Sequence, residues 1–392
     1  MHFQSSPPPR TSRKSRSGPH GKRRDRSFGR ESAVDETITR KRQDCPAQTT
    51  PPNRSAVGPV SIAQASSHCR PPELCSAVPP RDSMDRPIFI VGCPRSGTGI
   101  LHQLVRLHPQ VAWITPFSNG VCGKPWFRRV PPSAAWHIEW VLHRLPNAVL
   151  PPLLRGPYDG SLGLSSVFET HEGHAIWNRA LPPAEDHRAT AEHVTPAIRE
   201  YLHDVVRWHR RYHDSPRLVW KTPKNAFRLR FLQALFPQAH VIHLIRDGRA
   251  VAASILKRRR ASGGFHQWWG VRPPGWQSVQ SASPIEQAAW TWKQCINQIR
   301  ADIDRFPEDH CLEVHYESLL DAPGRVLRRV FSAASLSPEE FFTGENRRHL
   351  DKVRPPQTTW RTRLQAEQIE RLEAAIAPTL QECGYDKPAT PS

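Results

Sequence analysis

Three cations stand at the ends of three apolar runs, and their surroundings limit the chemistry open to them. Arg95 lies inside the turn Gly92-Cys93-Pro94-Arg95-Ser96-Gly97-Thr98-Gly99, which follows the apolar run 88–91 and leads into Ile100, Leu101, Leu104 and Leu107 at helical spacing. A strand that ends in a Gly-rich turn and opens a helix offers backbone N–H groups and a helix N-terminus to a phosphate or sulfate. Lys221 closes the short run 218–220 and begins Lys221-Thr222-Pro223-Lys224-Asn225, and Arg246 closes the apolar run 240–245. Ligands of open parallel sheets bind beyond the carboxyl ends of the strands. If these three strands are neighbours, their cations share one crevice suited to a ligand with several phosphate or sulfate groups.

The turn has the shape of a nucleotide loop without its lysine. The ATP/GTP loop reads G-x-x-x-x-G-K-[ST], with Lys on the phosphates and Ser or Thr on magnesium. Here Gly92 and Gly97 keep the spacing, Thr98 and Gly99 stand where Lys and Ser/Thr belong, and the cation sits inside the loop as Arg95. Pro94-Arg95-Ser96-Gly97-Thr98, together with Leu244-Ile245-Arg246-Asp247-Gly248-Arg249 and Ser254 eight residues beyond Arg246, resembles the sulfotransferases that use 3′-phosphoadenosine-5′-phosphosulfate. The resemblance runs from about Arg86 to Tyr385. It implies a P-loop-like sulfotransferase architecture, in which Arg95, Ser96, Gly97, Thr98 and Gly99 bind the 5′-phosphosulfate and Arg246 and Ser254 bind the 3′-phosphate. Lys221 matches the family's second catalytic cation. The segment 358–363 resembles the closing segment over the nucleotide, which makes Arg361 a phosphate contact. No metal is required.

Sulfuryl transfer is an in-line displacement in which charge builds on the bridging oxygen, so Arg95 and Lys221 are expected to neutralise the leaving group. The acceptor must also lose a proton. Many relatives carry a Glu soon after the His-Pro that ends the first helix, but residues 111–119 here hold no carboxylate. The candidate base is Glu172, in Phe168-Glu169-Thr170-His171-Glu172-Gly173-His174, with Glu169, His171 and His174 as rivals and a solvated polar loop as the plain alternative. This cluster lacks the i, i+4 histidine pair of a zinc helix. Two other readings compete: a P-loop small-molecule kinase, and a non-catalytic protein that binds nucleotides or polyanions. The kinase reading lacks the loop lysine and a compelling magnesium ligand.

The elements that must position these residues read as strand, helix, strand, helix with short joints. That pattern predicts an α/β fold with a central parallel sheet flanked by helices. Helices are expected over 98–107, 192–213, 227–236, 248–260, 285–306, 324–334 and 364–383, with a late strand over 311–316; Asp247 is placed to cap the helix at 248. The Pro/Trp-rich stretch 113–154, with one helix near 134–144, reads as a substrate-side insertion rather than core. The loop Trp268-Trp269-Gly270-Val271-Arg272-Pro273-Pro274-Gly275-Trp276 could stack on an adenine, wall an acceptor, or simply cover the core.

Residues 1–83 carry 15 Lys/Arg, 7 Asp/Glu and 12 of the chain's 40 prolines, without apolar periodicity, and are expected to be a disordered basic tail ahead of one domain over 84–392. Methionine occurs only at Met1 and Met84, so Met84 is a candidate start, set against a genuine tail that binds a polyanion. Of the formal +19, the body keeps +11, which suits a polyanionic co-substrate; no basic stripe interleaved with aromatics forms a nucleic-acid module. The eight cysteines lack C-x-x-C spacing, which argues for a reducing compartment. No apolar run reaches membrane-spanning length and no signal-peptide core is visible, so the cytoplasm is the expected location. The acceptor is expected to be a small molecule, glycan or lipid.

Overall fold

The computed structural model describes residues 85–142, 170–262, 264, 268–355 and 359–385. The expected tail over 1–83, Met84 and Glu169 lie outside the described residues. Five strands form one sheet: β1 (Ile88–Val91), β2 (Val111–Trp113), β3 (Arg217–Lys221), β4 (His240–Ile245) and β5 (Cys311–His315). Their order is β2-β3-β1-β4-β5, and every pairing is parallel. All residues of β1 and β4 are buried, because a parallel sheet whose crossover helices lie on both faces exposes neither side of its central strands.

Successive side chains alternate between the faces. Phe89, Val91, Trp220, Val241 and Ile245 join one core, and Ile88, Ile90, Val219, Ile242 and Leu244 join the other. The helices are α1 (Thr98–Val105), α2 (Pro116–Cys122), α3 (Pro132–Leu142), α4 (His174–Ala180), α5 (Pro196–Tyr212), α6 (Leu229–Leu235), α7 (Gly248–Ala261), α8 (Pro284–Ile303), α9 (Tyr316–Asp321), α10 (Pro323–Ala333), α11 (Pro338–Phe342) and α12 (Ala366–Glu382). The first core takes Leu202 and Val205 of α5, Leu232 of α6, Val251 of α7, Trp292 of α8 and Ile376 of α12; the second takes Leu101 of α1, Leu327 of α10 and Phe341 of α11.

Local chemistry starts the long helices where the sequence places them. Asp247 caps α7 by accepting from the Arg249 N–H at 2.8 Å. Thr195 caps α5 ahead of Pro196, and Ser283 forms a reciprocal cap with Glu286 ahead of Pro284 on α8. No helix among the described residues is long and apolar enough to cross a membrane.

The stretch 113–154, as far as 142 where it is described, differs from its reading as an insertion. Val111 to Trp113 is the edge strand, and Ile114, Cys122, Phe127 and Ala135 are buried in the core next to α5. A three-residue strand is too short to show a period of two, and prolines at both ends of the segment disguise it as loop.

Candidate active site

The turn after β1 is shaped by close approach. Gly92 has φ +157°, and a Cβ there would stand 2.5 Å from the Leu244 carbonyl oxygen, so only glycine lets the loop leave β1 beside β4. Gly97 has φ +94°, and a Cβ there would strike the ring of Tyr316. Between them Arg95 takes a left-handed conformation, φ +73°. Thr98 begins α1, and its cap residue Gly97 has no side chain to cover the first-turn N–H groups. Gly99, in that first turn, has open space where a Cβ would be.

The loop is locked to the end of β4. The Arg246 Nη1 donates to the Arg95 carbonyl at 3.1 Å, and the Arg95 Nε donates to the Ser254 Oγ at 3.2 Å. Ser254, two turns into α7, thus faces back to the crevice. The Arg246 guanidinium lies 4.3 Å from the Tyr316 ring, and Trp292 Nε1 fixes the Arg246 carbonyl at 3.1 Å. Arg95, Arg246 and Ser254 therefore meet, and β1 and β4 are neighbouring strands. The Ser96 Oγ and Arg246 Nε are buried without a hydrogen-bond partner among the described residues. Such atoms fit a ligand that supplies anionic oxygens.

Lys221 ends β3, the neighbour of β1 on the other side, and pairs with Ile90 in register. Neighbouring strands lie about 4.8 Å apart, so β3 and β4 flank β1 across about 10 Å. Lys221 is buried, and its Nζ meets Glu172 Oε1 at 2.5 Å. The loop that carries Glu172 is tightly held. Gln103 of α1 donates to Thr170 at 3.0 Å, the His171 N–H bonds the Ile114 carbonyl at 2.7 Å, and Trp220 Nε1 donates to the Glu172 carbonyl at 3.1 Å. Asn119 of α2 accepts from the Ala175 N–H at 2.9 Å and so caps α4 from outside it. Sequence reasoning missed Gln103, Asn119 and Trp220, since only the fold brings them to residue 172.

The rivals of Glu172 separate on geometry. The Gly173 N–H donates to His171 Nδ1 at 2.9 Å, which places the neutral ring's proton on Nε2; burial pushes His171 down to about 4. Half-exposed His174 stands 3.7 Å from Glu172, and burial lowers it too. No group of three His, Cys, Asp or Glu side chains suited to a metal is found among the described residues.

Near Thr115, where residues 111–119 lack an acid, α3 supplies one. Glu139 accepts from the Thr115 hydroxyl at 2.9 Å and from Tyr212, and burial raises it to about 8. Arg361 does not touch the loop. It lies against Trp360 at 4.6 Å, beside Arg249, which holds Asp247 through two nitrogens. Trp268 and Trp269 line a small cleft with Pro94, Ile255 and Arg259.

A Gly-rich turn after the central strand, cations at three adjacent strand ends and parallel topology define a P-loop-like α/β protein built for a polyanion. The chain belongs to the sulfotransferase family, whose profile residues 87–120 and 163–340 match. It is 24% identical over 321 residues to protein-tyrosine sulfotransferase A of Caenorhabditis elegans, an alignment covering 78% of this chain and 68% of that protein. It is 26% identical over 277 residues to omega-hydroxy-beta-dihydromenaquinone-9 sulfotransferase Stf3 of Mycobacterium bovis, covering 68% of this chain and 67% of that one. Sulfotransferase STF9 from Mycobacterium avium aligns at a TM-score of 0.49 with 16% identity, over 76% of this chain and 77% of that chain.

Proposed function

We propose that the protein moves a sulfuryl group from 3′-phosphoadenosine-5′-phosphosulfate to an acceptor hydroxyl or amine. The observation that carries this reading is the convergence of Arg95, Lys221 and Arg246 on three adjacent parallel strands, with Glu172 on Lys221. The donor supplies an activated sulfuryl group on a good leaving group. Ser96, Thr98, Gly99 and the N–H groups around Gly97 cradle its 5′ end, and Arg246 and Ser254 take its 3′-phosphate. Arg361 is placed to close over the nucleotide only if the segment that carries it swings toward Arg246.

The Lys221–Glu172 pair holds two functions in check. With acceptor present, Glu172 takes the proton of the attacking hydroxyl, and the freed Lys221 ammonium turns to the oxygen where charge develops. Arg95 neutralises the same charge from the loop side. His171, with its proton on Nε2, donates rather than accepts and so orients. Trp220 and Asn119 keep Glu172 from drifting, which matters because small misplacements are costly for proton transfer.

Lys221→Ala is expected to lower the acceptor-dependent release of adenosine 3′,5′-diphosphate by about 10²–10³-fold, the usual cost of removing one charge-stabilising donor. Chromatographic assay of that product checks it, and a variant as active as the native protein would remove Lys221 from the mechanism.

A further inference from the structure

Lys221 is paired with Glu172, and three more cations close by have no ion-pair partner among the described residues. Lys224 lies in the 3-10 turn Pro223–Phe227, Arg228 at the cap of α6, and Arg272 in the loop after α7. They share one space: Arg228 and Arg272 both bond His187, and burial with the Arg228 charge lowers Lys224 while Glu172 partly offsets that shift. Among the described residues no carboxylate stands within ion-pair distance of Lys224, Arg228 or Arg272.

Arg228 is the most telling of them. It is 6% exposed, and its guanidinium lies 5.0 Å from the Trp177 ring. Its Nε donates to the His187 carbonyl at 3.3 Å, while its Nη1 is buried with no partner. A desolvated cation without an anion carries its full desolvation penalty, and burial pushes Arg228 down to about 10. Both side-chain polar atoms of Asn225, in the same turn and fully buried, are also without partners. Arg272 is held in place from behind: its N–H donates to His187 Nδ1 at 2.8 Å and its Nη1 to the Glu185 carbonyl at 3.2 Å.

Lys224, Asn225 and Arg228 follow β3 and Arg272 lies in the loop after α7, whereas Arg95, Arg246 and Ser254 gather at the ends of β1 and β4 and on α7. The donor reading thus leaves them unused, and half-exposed His174 stands beside Glu172. We infer that Lys224, Arg228 and Arg272, with Asn225, form an acceptor subsite for an anionic group, a carboxylate or phosphate borne by the acceptor, which anchors its hydroxyl beside Glu172. The inference rests on the donor reading for the direction of transfer, and the anion subsite is measurable apart from it.

The test is calorimetry on the full chain, first with adenosine 3′,5′-diphosphate alone. Three probes follow, with and without that diphosphate: 4-hydroxyphenylacetate, phenyl phosphate and the neutral 4-(2-hydroxyethyl)phenol. Failure of the diphosphate to bind counts against the donor reading only, since the probes are also titrated on the free protein. At least one charged probe is expected to bind ten times more tightly than the neutral one or better, and the tighter of the two identifies carboxylate or phosphate as the anchor. R228Q should remove that advantage while diphosphate affinity stays unchanged. Because Arg228 is buried and its loss can disturb the fold, K224Q, at a partly buried position, provides a second variant, expected to cost several-fold in charged-probe affinity alone. Charged probes no tighter than the neutral one, or a folded R228Q and K224Q that keep the native preference, would overturn the subsite.

Discussion

The two flanks of the crevice are built in opposite ways. On the β1–β4 side the cations are tied to backbone and to each other: Arg246 to the Arg95 carbonyl, Arg95 to Ser254, and Arg246 against Tyr316. On the β3 side, Lys221 and Glu172 form an ion pair assembled from distant segments, and past the end of β3 the buried Arg228 Nη1 has no partner among the described residues. A flank interlocked with backbone suits a ligand that is the same in every turnover. The other flank, with a proton acceptor on a cation, suits chemistry in which charges change partners.

The sharpest way to divide the flanks is Glu172→Gln. It is expected to lower turnover by about 10²–10⁴-fold, the usual share of general-base catalysis, while diphosphate affinity stays within about twofold. Parallel turnover and calorimetric measurements check this, and a large loss of diphosphate affinity would merge the two flanks into one site.

Next in size is Arg246→Ala, which should weaken diphosphate binding by about 1.5–3 kcal/mol, the range for a hydrogen bond to a charged group. Ser254→Ala should cost about 1 kcal/mol, since it removes a neutral hydroxyl and leaves Arg95 without one partner. Unchanged affinity in Arg246→Ala would remove the 3′-phosphate from the β4 side.

A last effect concerns stability against pH rather than binding or turnover, and it arises on the β2–β3 flank. Burial lowers His209 to about 4 and His213 to about 3; the first bonds Ser118 and the second the Trp113 carbonyl. A histidine depressed in the folded protein takes up its proton first in the unfolded chain. Its stabilising effect is complete above pH 6.5 and fades below, by about 1.4 kcal/mol per pH unit for each such ring. Glu139, raised to about 8, acts the other way: the folded state keeps its proton, so that contribution fades as pH rises from about 4.5 toward 8. Urea midpoints should therefore fall from pH 6.5 to 5, and His209→Gln should flatten the slope. A midpoint indifferent to pH over that range would contradict the assignment of these rings as neutral.

What the sequence reveals follows the same division. Gly92 to Gly99, Arg246, Asp247 and Ser254 lie in two contiguous motifs, and the family resemblance those motifs carry supplies their expected roles. The spacing of apolar residues places β4 at 240–245 as observed, and α7 and α8 within a few residues. The Lys221–Glu172 pair is different, since 49 residues separate its members, and Trp220 of β3, Gln103 of α1 and Asn119 of α2 hold the segment that carries Glu172. No period or motif encodes such a meeting. Strand order was also invisible, so the convergence of three cations stayed conditional until β3, β1 and β4 proved adjacent. Arg228, seven residues past Lys221, carries a signal that only the burial of its unpartnered Nη1 makes legible.

The central claim is that the loop after β1 and the end of β4 bind a 3′-phosphorylated nucleotide without metal. Calorimetric titration of the full chain with adenosine 3′,5′-diphosphate in EDTA, beside ATP with magnesium, tests it most directly. The account predicts tight, metal-independent binding of the diphosphate that Arg246→Ala weakens. Binding of ATP with magnesium and none of the diphosphate would contradict it.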